Sequence, residues 1–234
     1  SNNIYINKVS LINKTGAIIS GSKRDSNSLV FLFTKDMGRE WVDINGDINS
    51  IIPVNQSWSE AVDVTTLEND QILTIASNGK AYLYSSESHK WIDRGDFDIN
   101  VAYDKICRVK KMNNALYLVG GRDGPEGFGG YFKRLTEDAT LTTITLPVNL
   151  KGYDLTSKGD IVLCGDSLPD NAKDNFNTEK REGVIIYSSI KEGGWKIIYR
   201  NPKIADIRSV AFINDETVVA ISGDGTFIKL SQVR

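Results

Sequence analysis

Histidine is almost missing from this 234-residue chain, with His89 the single instance. A Ser-His-Asp triad, a His-Glu-x-x-His zinc site or a His-rich metal centre each needs histidines that the sequence does not supply, so no metal site is assigned. Cysteine is scarce too. Cys107 and Cys164 are the only two, and both fall in apolar strand-like runs, which reads as reduced core thiols and not as a disulfide framework. Basic charge is not in excess, because 28 Lys and Arg face 30 Asp and Glu; no broad field exists to neutralise phosphates, and no nucleic-acid partner is expected. Apolar runs such as Val184 to Tyr187 fall far short of the roughly 20 residues that cross a bilayer, so no membrane partner is expected either. The opening Ser1-Asn2-Asn3-Ile4-Tyr5 has neither a basic nor an apolar signal region. The expectation is a cytoplasmic chain, with a secreted one that has lost its signal peptide as the alternative. Gly120-Gly121-Arg122-Asp123-Gly124 precedes no helix and no Lys-Ser/Thr pair, which rules against a phosphate-cradling loop and leaves no cofactor to assign.

What the chain does contain is short runs of Val, Ile, Tyr and Phe punctuated by Asn, Asp and Gly, the pattern of an all-β protein. Polar turns at Asn13-Lys14, Asn69-Asp70, Asn113-Asn114, Lys158-Gly159 and Asn214-Asp215 recur at intervals of 56, 44, 45 and 56 residues. Each is followed by a strand ending in small residues, for example Ile18-Ile19-Ser20-Gly21 and Val162-Leu163-Cys164-Gly165, as expected where inner strands converge on a channel. A third strand follows in every unit. A fourth is legible as Trp41 to Ile44, Trp91 to Asp93, Leu141 to Leu146 and Trp195 to Tyr199. The fifth unit has none, and Asn3 to Asn7 is the candidate to supply it by closing the ring. Four-stranded units with a period near 45 predict one domain, residues 1–234, folded as a five-bladed β-propeller.

The link Thr34-Lys35-Asp36-Met37-Gly38-Arg39-Glu40-Trp41 resembles the Asp-box (BNR) motif, S/T-x-D-x-G-x-x-W, at every specified position. Ser85 to Trp91 and Ser188 to Trp195 are similar but decayed, and Leu135 to Leu141 has lost the motif. The resemblance implies a structural staple in which Asp caps the turn, Gly takes a conformation other residues resist, and Trp packs between sheets. Asp-box proteins include sialidases, other glycosidases, sugar-binding propellers and proteins unrelated to sugars, so the resemblance informs fold more than activity. The arginine triad and Tyr-Glu pair of the six-bladed sialidases have no counterpart assignable here. In five-bladed glycosidases the inner-strand acids would correspond to positions near Asp63 and Asp154, against which stands the plainer reading of polar residues facing a wet channel. His89 reads as an exposed turn residue.

In a propeller, the links between second and third strands and between blades emerge on one face, and here those links are the long ones: Ser22 to Ser28, Gly46 to Glu60, Arg122 to Gly129, Asp166 to Gly183 and Asn201 to Asp206. Long loops on a rigid scaffold concentrate binding residues. The candidates are Trp58, Arg122, Asp123, Glu126, Phe128, Asp166, Asp170, Asp174 and Phe176, with no catalytic residue among them. Aromatic anchors amid carboxylates suit a basic protein partner, and the unequal loops suit one large asymmetric partner. The sequence therefore points to a non-catalytic, monomeric, protein-binding propeller, such as an immunity or inhibitor protein against a basic toxin like a nuclease. The alternative is a lectin or glycosidase.

Overall fold

A computed structural model describes residues 4–12, 14–23, 28–52, 61–67, 71–76, 80–96, 104–112, 115–124, 127–136, 141–168, 181–189 and 194–233. By its internal contacts the chain divides into two compact units, Ser1–Ala102 with Val109–Lys111, and Tyr103–Arg108 with Met112–Arg234. The described residues form antiparallel sheets in chain order, with one short helix. In the first unit, β1 (Ile4–Leu11), β2 (Ala17–Lys23), β3 (Leu29–Thr34) and β4 (Val42–Asp43) make one sheet. A turn of helix, α1 (Ile48–Ile51), leads to the next, made of β5 (Ala61–Thr66), β6 (Ile72–Ala76), β7 (Lys80–Ser85) and β8 (Lys90–Asp96).

The third sheet consists of β9 (Asp104–Met112), whose residues 109–111 count with the first unit, β10 (Ala115–Gly124), β11 (Gly127–Thr136) and β12 (Leu141–Leu146). Wholly in the second unit are the sheet of β13 (Asn149–Leu155), β14 (Ile161–Ser167), β15 (Glu182–Ser188) and β16 (Lys196–Asn201), and the three-stranded sheet of β17 (Ile207–Asn214), β18 (Thr217–Ser222) and β19 (Phe227–Ser231).

The repeat runs deeper than the turns that signal it. Four first strands carry an extra residue, a β-bulge, at 7, 62, 151 and 208, and β17 carries a second at 213. In three of them a turn closes five residues later, where Ile12, Leu67 and Thr156 donate backbone N–H bonds to the carbonyls of Gly16, Gln71 and Asp160 at 2.9, 2.7 and 2.9 Å. The small residues that end the second strands stand opposite these bulges. Gly21, Ala76, Gly165 and Ser222 pair with Ile6, Ala61, Leu150 and Ile207, each just before the extra residue. A bulge pushes the first strand's backbone toward its partner. A Cβ at Gly21 would run into the carbonyl oxygen of Tyr5, and one at Gly165 into that of Asn149. The smallness of Gly21 and Gly165 therefore has a local cause, the approach of one backbone to another.

This geometry corrects the reading of Asn3 to Asn7 as a closing outer strand. Ile4, Tyr5 and Ile6 instead pair with Lys23, Ser22 and Gly21, as the start of β1. Gly21 admits that backbone, so the segment continues the first strand across its bulge. Among the described residues the last sheet keeps three strands. Arg122 to Gly129 is not a long loop either: β10 and β11 stay paired out to Gly124 and Gly127.

Each unit has its own apolar core. In the first, Phe31, Tyr82, Tyr84 and Trp91 pack with Ile18, Ile48 and Val64, and the Phe31 and Trp91 rings lie 4.7 Å apart. In the second, one cluster gathers Tyr117, Phe132 and Tyr153 with Leu150, Leu163 and Val184. Another gathers Cys164, Ile185, Ile207 and Val218. Cys164 is buried, as the sequence predicts; the side chain of Cys107, in β9, lies outside the described residues.

Candidate functional site

Asp166 is the best-defined of the predicted site residues, and it is buried, with 2% of its surface exposed. It sits near the end of β14, paired on one side with Asn149 and on the other with Gly183. Its Oδ2 accepts a hydrogen bond from Arg181 Nη1 at 3.1 Å. Its Oδ1 accepts from Asn149 Nδ2 at 3.3 Å and faces Lys151 Nζ at 3.8 Å. Burial pushes the Asp166 carboxyl up from its ordinary value, Lys151 and Arg181 oppose that rise, and repulsion from Asp206 adds to it.

The segment that reads in the sequence as the longest loop leaves after β14 and returns at Arg181, immediately before β15. The Asp166 to Arg181 ion pair therefore joins the two stems of that loop across a ladder that ends at Ser167 and Glu182. Burying a charged pair is tolerable only when its remaining hydrogen-bonding capacity is used. On the carboxylate side Asn149 supplies a hydrogen bond and Lys151 a nearby positive charge, and the bulge at 151 lies beside them in the first strand. The bulge at 208 also has a charged pair beside it: Arg208 Nε bonds Asp206 Oδ2 at 2.7 Å. Glu182 and Arg200 add a pair at 3.4 Å.

Sequence reasoning selects Asp166 but misses Arg181, Lys151 and Asn149. The signal was available in part, since opposite charges flank the longest loop. Arg122, Asp123 and Phe128 have their backbones in the β10–β11 hairpin, with Asp123 opposite Phe128, and their side chains lie outside the described residues. Trp58, Glu126, Asp170, Asp174 and Phe176 also lie outside them.

Asp63 and Asp154 do something other than either expectation. The Asp63 carboxylate is buried, accepts the Val109 N–H at 2.8 Å and the Val64 N–H at 2.9 Å, and pairs with Lys8 Nζ at 3.3 Å. Asp154 Oδ2 accepts the Phe212 N–H at 2.9 Å. Each carboxylate reaches the backbone of another first strand, Asp63 from β5 to β9 and Asp154 from β13 to β17, and so works as a clamp between strands. Asp63 is buried and Asp154 half-buried.

In the Thr34 to Trp41 turn the Asp and Gly do what the resemblance implies, but Trp41 is 38% exposed and is not buried between sheets. Asp36 accepts from Thr34 Oγ1 at 2.7 Å and from the Glu40 N–H at 3.0 Å, while Thr34 Oγ1 accepts the Gly38 N–H at 3.1 Å. These bonds hold Asp36 below the ordinary carboxylate value. Gly38 has φ +85°, the left-handed region that glycine tolerates best, and its α-carbon faces the Trp41 ring. In the decayed second copy, Trp91 is buried and donates its indole N–H to the Ile44 carbonyl at 2.9 Å. His89 is exposed in that turn, as expected, with φ 53° and its Nδ1 at 3.0 Å from the Tyr84 hydroxyl.

Repeated four-stranded antiparallel sheets, bulged and turned alike, place the fold in the β-propeller class. Among solved structures the chain is similar to the WD40 β-propeller domain of Doa1, with a TM-score of 0.61, 14% identity, and coverage of 97% of this chain and 63% of that one. It therefore spans a little under two thirds of the Doa1 domain. It is also similar to the catalytic domain of a Coprinopsis cinerea GH62 α-L-arabinofuranosidase, with a TM-score of 0.50, 10% identity, and coverage of 97% and 90%. At such identities the likeness is one of fold. No family model matches the sequence, and no curated protein matches it.

Proposed function

We propose that the chain is a single five-bladed propeller of the Asp-box type that acts as a non-catalytic binding module, recognising a basic protein through its long-loop face. The supporting observation is the buried Asp166 to Arg181 pair, which ties both stems of the longest loop to the sheet. A recognition loop on a fixed root loses less conformational freedom on binding than a free one. The loop's sequence, with Asp170, Asp174 and Glu179 beside Phe176, supplies the charge and the anchor for a basic surface. A toxin such as a nuclease is the partner class this chemistry suits, and the role is then that of an immunity or inhibitor protein. Arg122, Asp123, Glu126, Phe128 and Trp58 are the remaining contacts in this reading.

Titration calorimetry and size-exclusion against a panel of basic nuclease domains tests the proposal. A one-to-one complex is expected with at least one of them. Phe176→Ala should weaken it most, and Arg181→Met should weaken it without touching the recognition residues themselves. Absence of any complex across the panel would refute the toxin reading.

One observation favours a second reading, a glycosidase: Asp166 is a carboxyl raised by burial with a second carboxyl, Asp206, close enough to repel it, and glycosidases work with such pairs. Against it, both Asp166 oxygens already have partners. Turnover of chromogenic glycosides, abolished by Asp166→Asn, would decide for the enzyme.

A further inference from the structure

The first unit contains a cleft of about 420 Å³ between the outer part of its first sheet and the β6–β8 region of its second. Phe33, Ile44, Ile72 and Tyr84 give it an apolar floor, and Asp36, Glu40 and Asp43 give it an acidic wall. Pockets of this size with an apolar body and a few polar groups are the usual form of a ligand site. It adjoins the β3–β4 link, at the opposite strand ends from the β2–β3 link, so it is separate from the long-loop face.

Three features define what would fit. The Asp36 carboxylate is engaged by the turn, whereas Glu40 and Asp43 are exposed and make no ion pair among the described residues, Asp43 using one oxygen to accept the Asn45 N–H at 2.8 Å. The cleft's own lysine, Lys35, holds its ammonium 5.5 Å from the centre of the Phe33 ring, the arrangement in which a cation is attracted to an aromatic face. Finally, β4 is the edge strand of its sheet. It pairs with β3 through Phe33 to Val42 and Leu32 to Asp43, and Val42, which lines the cleft, is 58% exposed. An extended chain laid along such an edge finds backbone partners and side-chain pockets together.

We infer that this cleft is a docking groove for an extended basic peptide, seating one lysine side chain over Phe33 and against Glu40 and Asp43, in the place that Lys35 now fills. Acidic wall and basic ligand are complementary in charge. The peptide displaces Lys35, so Lys35 competes with its own ligand.

The test uses hexalysine and its fully Nε-acetylated counterpart as probes. His89, the chain's only histidine, lines the cleft, so its imidazole carbon-bound protons report occupancy by NMR without ambiguity. Hexalysine should shift the His89 signals saturably, and the acetylated peptide should not. Glu40→Gln with Asp43→Asn should weaken hexalysine about tenfold. Lys35→Met should tighten it about threefold or more beyond Lys203→Met, which makes the same charge change at an exposed position elsewhere. Melting temperatures equal to the parent's establish that the variants are folded, and these side chains are all exposed. Unmoved His89 signals, equal binding of the acetylated peptide, or Lys35→Met no tighter than Lys203→Met would each overturn the inference.

Discussion

Replacing Asp63 by Asn keeps the shape of the side chain and removes one acceptor oxygen and the charge. In the native chain, one oxygen serves the Val109 N–H and the other serves the Val64 N–H and the Lys8 ammonium. Asparagine can satisfy one of those two amides, and it turns an NH2 group toward the other. One buried donor is then orphaned, at a cost of about 1–3 kcal/mol, and the Lys8 pair loses its charge-assisted half, roughly another 1 kcal/mol. Asp63→Asn is therefore expected to cost about 3 kcal/mol, or on the order of 6–12 °C in melting temperature for a chain of this size. Asp154→Asn, at a half-buried site with one cross-strand bond to Phe212, should cost about 1 kcal/mol. Urea denaturation of both variants, with a double-mutant cycle through Lys8→Met, measures the difference. If Asp63→Asn costs less than Asp154→Asn, or if Lys8 and Asp63 show no coupling, the clamp argument is wrong.

Gly38→Ala should cost about 1 kcal/mol, because alanine is strained at φ +85°; the same urea experiment reads it. Asp36, Asp93 and Asp224 are all held below the ordinary value of 3.8, chiefly by Thr34, by the Gly95 N–H and by Ser222 respectively. A depressed folded value means stability fully present above the unfolded value and lost as pH falls through the folded one. The melting temperature should therefore be level with respect to these groups above pH 3.8 and fall below it, and Asp36→Asn should flatten part of that fall. Cys164, wholly buried, should resist thiol alkylation in the folded chain and react once urea unfolds it, as peptide mapping by mass spectrometry would report.

The strand pattern and the Thr34 to Trp41 turn were legible because both are local. Alternating apolar residues decide which backbone extends, and the Thr34 to Trp41 spacing decides which side chain reaches which amide a few residues away. The bulges were not legible, since an extra residue at 7 or 151 changes only pairing, and its mark in the sequence is a small residue on the neighbouring strand. Asn3 to Asn7 was misplaced for the same reason. The roles of Asp63 and Asp154 were hidden because their partners are backbone amides 46 and 58 residues away, which carry no side-chain signature. Asp166 was found by its place beside a long loop, while Arg181, its partner, stood at the other end of that loop.

The functional consequence lies in how the acidic residues are divided. A carboxylate inside a β fold is costly unless something holds it, and here the buried Asp63 and Asp166 and the half-buried Asp154 are held for structural ends. Asp63 and Asp154 join first strands, and Asp166 closes the base of a loop. Asp36, Asp93 and Asp224, more exposed, shape turns. Glu40, by contrast, is exposed and lines a cleft with an aromatic floor. The recognition of a basic partner proposed above therefore rests on exposed carboxylates such as Glu40, since the buried ones already serve as struts.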